Sequence, residues 1–135
     1  MEYRSDLSVL RHYIENRLAA FDLAVSTNDP ATLTSLLQSV RVDLVDTRRR
    51  RQPLEVHDII DCLSPWNRQS LLTTSNLTVR SSGNAAHYTA IYQLWPTAAR
   101  NTETVSLGVF RGIFNRGHQV WIWSEHTIQP LGGAD

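Results

Sequence analysis

Between Leu71 and Ile128 the chain is written almost continuously in residues that favour extended backbone, cut into four long segments by turn signals. "LLTTSNLTVR" runs into the turn "SSGN", and "AAHYTAIYQLW" ends at a break from Pro96 to Thr102. "ETVSLGVFRGIF" then turns through "NRG" into "HQVWIWSEHTI". Gly, Asn, Ser and Pro clusters between runs of β-branched and aromatic residues mark strands joined by turns. Strands that follow one another this closely pair antiparallel, so the second half of the chain must make a sheet. The first half must cover it.

The first half has the means. Leu7, Leu10, Ile14, Leu18, Phe21 and Val25 recur at spacings of three and four, which predicts a helix over Ser5 to Ser26 with one apolar stripe. In "NDPATLTSLLQ" Asp29 is placed to cap a second helix whose first position is Pro30, where a missing N–H is harmless. "VRVDLVD", Val40 to Asp46, alternates as a strand with Val42, Leu44 and Asp46 on one face. Arg48 to Arg51 and Pro53 read as a loop. "LEVHDIIDCL" reads as a short third helix with a stripe of Val56, Ile59, Ile60 and Leu63. The expected fold is α+β, a curved antiparallel sheet with three helices on one face. It forms a single domain over residues 1–130, with residues 131–135 a flexible tail.

Several functions are excluded by composition. Positive and negative charges balance at 13 each, which argues against a broad nucleic-acid surface. All 13 cations are arginine, so Schiff-base chemistry on lysine is ruled out. Cys62 is the one cysteine, leaving neither a disulfide framework nor a cysteine-built zinc site. No apolar run reaches the roughly 20 residues that span a bilayer. "MEYRSDLSVL" lacks the apolar centre of a signal peptide, so a cytoplasmic protein with no membrane partner is expected.

In "ETVSLGVFRGIF" one face carries Val105, Leu107, Val109 and Ile113, and the other Gly108, Phe110, Gly112 and Phe114. A sheet apolar on both sides needs cover on both sides. The helices supply one cover, and a homodimer through the outer sheet face is expected to supply the other. Alternation in "VWIWSEHTI" places Trp121, Trp123, Glu125 and Thr127 together, with His126 opposite.

The order and spacing of "AAFDLAVSTNDPATLTSLL", "VRVDLVD", "TSNLTVRSSGNAAHYTA" and "GVFRGIFNRGHQVWIW" resemble the nuclear transport factor 2-like superfamily. That superfamily includes ketosteroid isomerases, SnoaL-like polyketide cyclases and scytalone dehydratase. The resemblance covers nearly the whole chain. It implies a cone-shaped pocket between sheet and helices, a small-molecule site of apolar character with a few convergent polar groups.

Within that likeness Glu125 is similar to the acid/base aspartate of the cyclases, which follows a His-Trp pair. Here Trp123 and Ser124 precede it, so the histidine is missing. Asp46 resembles the general base of the isomerases, although turn initiation before Thr47 is an equally ordinary role. The positions similar to the isomerases' oxyanion donors are Phe21 and Phe110, which cannot donate, so that mechanism is unlike this chain's. The dehydratases' histidine would fall at Leu72 before Asn76. Arg17, at the edge of the helical stripe, either pairs with Asp46, Glu125 or a substrate anion, or extends its head to solvent.

The resulting expectation is an acid/base cyclase, isomerase or dehydratase acting on an apolar or polycyclic secondary metabolite, with Glu125, Asp46 and Arg17 catalytic. Trp123, Phe21, Phe110, Trp66, Tyr88 and Tyr92 would shape the pocket, the tyrosines belonging to the dimer interface if their face is outward. His126 is expected at the surface or interface. His57 and Asp61, at i and i+4, lie opposite the stripe of their helix and make a solvated face rather than a metal site. The arginine run Arg48 to Arg51 reads as solvated, or as an electrostatic lip for an anionic substrate. Neither cofactor nor metal is required, because protonatable side chains suffice for such steps. The alternative is a non-catalytic ligand-binding or dimeric assembly module of the same shape, its interior plugged by Trp123 and the phenylalanines.

Overall fold

Helix α1 begins at Glu2 and ends at Ser26, and from Leu10 onward the stripe that defined it is its buried face, Leu7 remaining exposed. Leu10, Ile14, Leu18, Phe21 and Val25 are all withdrawn from solvent, each burial contributing roughly 1.5–3 kcal/mol. The helix stops where Asn28 takes a left-handed backbone with φ of 53°, and the Asp29 N–H bonds back to the Ala24 carbonyl at 2.9 Å. Asp29 then caps α2, Pro30–Leu36, accepting from the Thr32 N–H at 3.1 Å. Cap and proline stand where the sequence placed them.

The computed structural model describes residues 2–63, 70–96, 105–118 and 120–131. After α2 come β1 (Arg41–Val45), β2 (Arg51–Pro53) and α3 (Val56–Leu63). The four long strands follow as β3 (Ser70–Ser82), β4 (Ala85–Pro96), β5 (Ser106–Gly117) and β6 (Val120–Pro130). They form an open six-stranded sheet in the order β2-β1-β6-β5-β4-β3, so the α+β architecture stands. Two details differ from the expectation. The sheet is mixed, because β1 returns from the helices to lie parallel to β6, Val42 opposite His126. Residues 51–53, read as loop, pair antiparallel with β1. The turn between them is built by Asp46 and by Arg49, whose φ is 63°. Beyond the strands, Leu131 is tied to the Leu107 carbonyl at 3.0 Å, and residues 132–135 lie outside the described residues.

One core joins the helices to the inner sheet face. Phe110 and Phe114 of β5, and Tyr88 and Tyr92 of β4, point into it. Gly112 and Gly108 stand opposite the two tyrosines, and any Cβ there would run into the rings. The glycines are the space into which the tyrosines lie. On the outer face Leu71, Trp95 and Leu107 remain exposed.

At one margin of the sheet α1 supplies partners to β3. The Leu72 N–H donates to the Ser26 hydroxyl at 2.8 Å, and Arg11 donates to the Leu77 carbonyl at 2.8 Å. Between them β3 carries an extra residue, since Ser75 opposes Ile91 but Thr78 opposes Thr89. Asn76 provides the left-handed backbone, φ 56°, that such a bulge requires and that asparagine tolerates.

Candidate functional site

The most consequential irregularity lies in β6. Phe114 opposes Trp123, but Ile113 opposes Glu125, so Ser124 is an inserted residue. A bulge reverses the alternation beyond it. Trp123 points inward before the bulge, and His126 and Ile128 point inward after it. Glu125 therefore falls on the face opposite Trp123, against the expectation. The bulge is locally held: Asn115 donates to the Ser124 hydroxyl at 2.7 Å, and the Trp123 indole N–H donates to the Glu125 carbonyl at 3.1 Å.

His126, expected at the surface, has no solvent exposure. Its Nδ1 lies 2.6 Å from Tyr88 Oη, which also accepts the Trp123 indole N–H at 2.9 Å. The phenol's own hydrogen has two acceptors within reach, Nδ1 and the Glu125 carbonyl at 3.5 Å, and the tautomer of His126 sets which of them it serves. The His126 Nε2 has no partner among the described residues. Phe110 at 4.5 Å, Phe21 at 4.8 Å and Trp123 at 5.2 Å surround the ring. Burial pushes His126 down to about 3 and raises the Tyr88 hydroxyl far above the usual phenol range, so both are neutral at physiological pH.

A second acid, missed in the sequence, has the chemistry expected of Glu125. Asp22 of α1 accepts a hydrogen bond from the Thr74 hydroxyl of β3 at 2.9 Å, and burial pushes its carboxyl up to about 7 despite that bond. It lines a cleft of about 410 Å³ between α1 and the β3 bulge, together with Arg11, Glu15, Leu18, Asn76 and Leu77. Arg11 pairs with Glu15 at 3.5 Å across the mouth. The signal was present: Asp22 follows Leu18 by four residues and sits beside Phe21, so it rides the edge of the apolar stripe.

No family model and no curated protein is matched by the sequence. Solved structures are matched. The protein LinA superposes with a TM-score of 0.64 at 16% identity over 97% of this chain and 95% of its own. A nuclear transport factor 2-like protein with a cystatin-like fold from Novosphingobium aromaticivorans gives 0.64 at 14% identity, over 98% of this chain and 90% of that one. A candidate dehydratase of the same family from Streptomyces avermitilis gives 0.58 at 18% identity, over 89% and 95%. The chain has the nuclear transport factor 2-like fold.

Within the nuclear transport factor 2-like fold the remaining expected residues can be placed. Asp46 does not look inward. Its Oδ1 accepts the N–H groups of Arg48 and Arg50, both at 2.9 Å, and its Oδ2 pairs with the Arg50 guanidinium at 3.4 Å. The Arg50 N–H, foremost, holds its carboxyl below the usual range. Glu125 and Asp46 are thus not brought together. Tyr88, Tyr92, Phe21, Phe110 and Trp123 do share the interior, and the tyrosine question resolves inward. Trp66 lies outside the described residues. Arg17 is half-buried and meets neither acid; it donates to Tyr13 Oη at 3.3 and 3.2 Å. Of the arginine run, Arg50 holds Asp46 and Arg51 reaches Asp43 at 3.4 Å. Asp43 is buried and also paired with Arg41 at 3.3 Å. His57 is exposed and pairs with Asp58 at 3.4 Å, and no group of three metal-ligating side chains occurs among the described residues. Nor, among them, is any helix long and apolar enough to cross a membrane.

Proposed function

We propose that this protein is a small-molecule enzyme that moves a proton with Asp22, in a cyclisation, isomerisation or dehydration of an enolisable compound. The observation that carries the reading is a carboxyl group poised near neutral pH at the wall of an accessible cleft. Thr74 donates to Oδ1 and so leaves Oδ2 to carry the mobile proton. Oδ2 would take a hydrogen from a carbon next to a carbonyl, or give one to a departing hydroxyl. Arg11, tethered by the Leu77 carbonyl and Glu15, brings a cation to the same cleft for the charge that develops. The solved relatives whose names include dehydratases add weight to this class of reaction.

The test is deuterium exchange. Incubation with 2-tetralone or related enolisable ketones in D2O, followed by proton NMR, should show exchange above buffer in the wild type. Asp22→Asn should lower it by about a hundredfold or more, the usual contribution of a positioned acid/base group. Equal exchange by wild type and variant would remove Asp22 from the chemistry.

A second reading, a non-catalytic binding or assembly module, is favoured by one observation. Aromatic rings occupy much of the space between helices and sheet, with Trp123 stacked on Phe114 at 5.7 Å and Tyr92 on Phe110 at 4.5 Å. Exchange no faster than buffer across a panel of ketones would support it. In either case we propose a homodimer through the outer sheet face, where Leu71, Trp95 and Leu107 are uncovered.

A further inference from the structure

On the opposite flank of α1 from Asp22 lies a separate cleft of about 240 Å³, between α1, the segment after α2 and the β5–β6 hairpin. Arg17 and Tyr13 form one wall, Trp121 and Trp123 another, and Gln38 and Ser39 part of the rim. Its electrostatics are lopsided. Among the described residues Arg17 is the one charged residue lining it, and no Asp or Glu lines it. Elsewhere Arg11, Arg41, Arg50 and Arg51 each meet a carboxylate within 3.5 Å. Arg17, although half-buried, meets only a phenol among the described residues: Nε and Nη2 both donate to Tyr13 Oη, and the guanidinium carbon lies 5.2 Å from the ring centroid.

A phenol oxygen accepts but does not neutralise, so a desolvated cation is left wanting an anion. Because Tyr13 Oη accepts from Arg17, its own hydrogen is free to donate to the same incoming group. The guanidinium fork matches a planar carboxylate, and the phenol adds a third donor beside it. Trp121 offers a partly exposed indole to the cleft, while Trp123 is almost wholly buried behind it. Trp121 also carries the Arg116 guanidinium, 5.7 Å from its ring, which adds a further positive charge at that end.

We propose that this cleft binds a small aryl carboxylate, its carboxylate held by Arg17 and Tyr13 and its ring laid against the partly exposed Trp121. The site stands independently of Asp22. Its test is titration with sodium phenylacetate, followed by calorimetry and by tryptophan fluorescence, since two lining residues are indoles. Saturable binding is expected in the wild type, with neutral phenylacetamide about tenfold weaker or worse, the scale of charge-assisted hydrogen bonds. Arg17→Met should lose about as much. Tyr13→Phe keeps the ring that packs edge-on against Phe114 at 5.7 Å, and should bind several-fold more weakly without a change in fold. The proposal is overturned by absence of saturable binding, by phenylacetamide binding as tightly as phenylacetate, or by both variants binding as the wild type does. Inorganic phosphate that competes as well as phenylacetate would overturn the aryl-carboxylate assignment.

Discussion

Replacing Asp22 by Asn should change how stability depends on pH, by an amount that follows from the site. The Asp22 carboxyl is raised from 3.8 to about 7 by burial. The folded state therefore holds a proton that the unfolded chain releases, so its contribution is complete below about 3.8 and is lost as pH rises through about 7. Each pH unit of that gap corresponds to about 1.4 kcal/mol. Between pH 5 and pH 8 the wild type should lose roughly 2–3 kcal/mol from this group alone. Asparagine has the same shape, and its amide oxygen can still accept from Thr74, but it has no proton to lose. Urea unfolding of both proteins at pH 5 and pH 8 isolates the effect. The variant's stability relative to wild type should grow by roughly 2–3 kcal/mol across that interval, or by roughly 10 °C in Tm. Parallel pH dependence in the two proteins would refute the burial argument and, with it, the acid/base role of Asp22.

Other outcomes are accessible with the same material. Gly112→Ala places a methyl group against the Tyr88 ring and the Glu125 carbonyl, and should cost about 1–3 kcal/mol by urea unfolding. His126 should show no imidazole titration between pH 5 and pH 8 by NMR, because burial holds it neutral down to about 3. The unfolded chain takes up that proton near 6.5, so this residue lowers stability as pH falls below that value. Sedimentation at micromolar concentration should give a dimer, and a monomer would leave Leu71, Trp95 and Leu107 to be explained otherwise.

What the sequence revealed was local. The stripe of α1 from Leu10 on, the Asp29 cap and the shared face of Gly108, Phe110, Gly112 and Phe114 are each legible within one segment, and the structure has them so, Leu7 excepted. Pairing across the chain left no such trace. Nothing in "VRVDLVD" says that it will lie parallel to β6, since the contact is made some 80 residues later and decided by how the helices pack. The bulge at Ser124 was equally silent, because serine has no special backbone need there. That one residue carried Glu125 to the outer face and His126 to the inner one. Asp22 was legible by position but overshadowed by Phe21, and its character depends on Thr74, 52 residues away.

Both margins of the sheet are partly obstructed to a further strand. On one side Ser26 and Arg11 occupy backbone groups of β3 that another chain's strand would need. On the other, β2 offers three residues, one an arginine and one a proline without an N–H. A second copy's strand therefore meets a bulged and partly occupied rim at β3 and a three-residue rim at β2, which favours self-association of side chains meeting broadside.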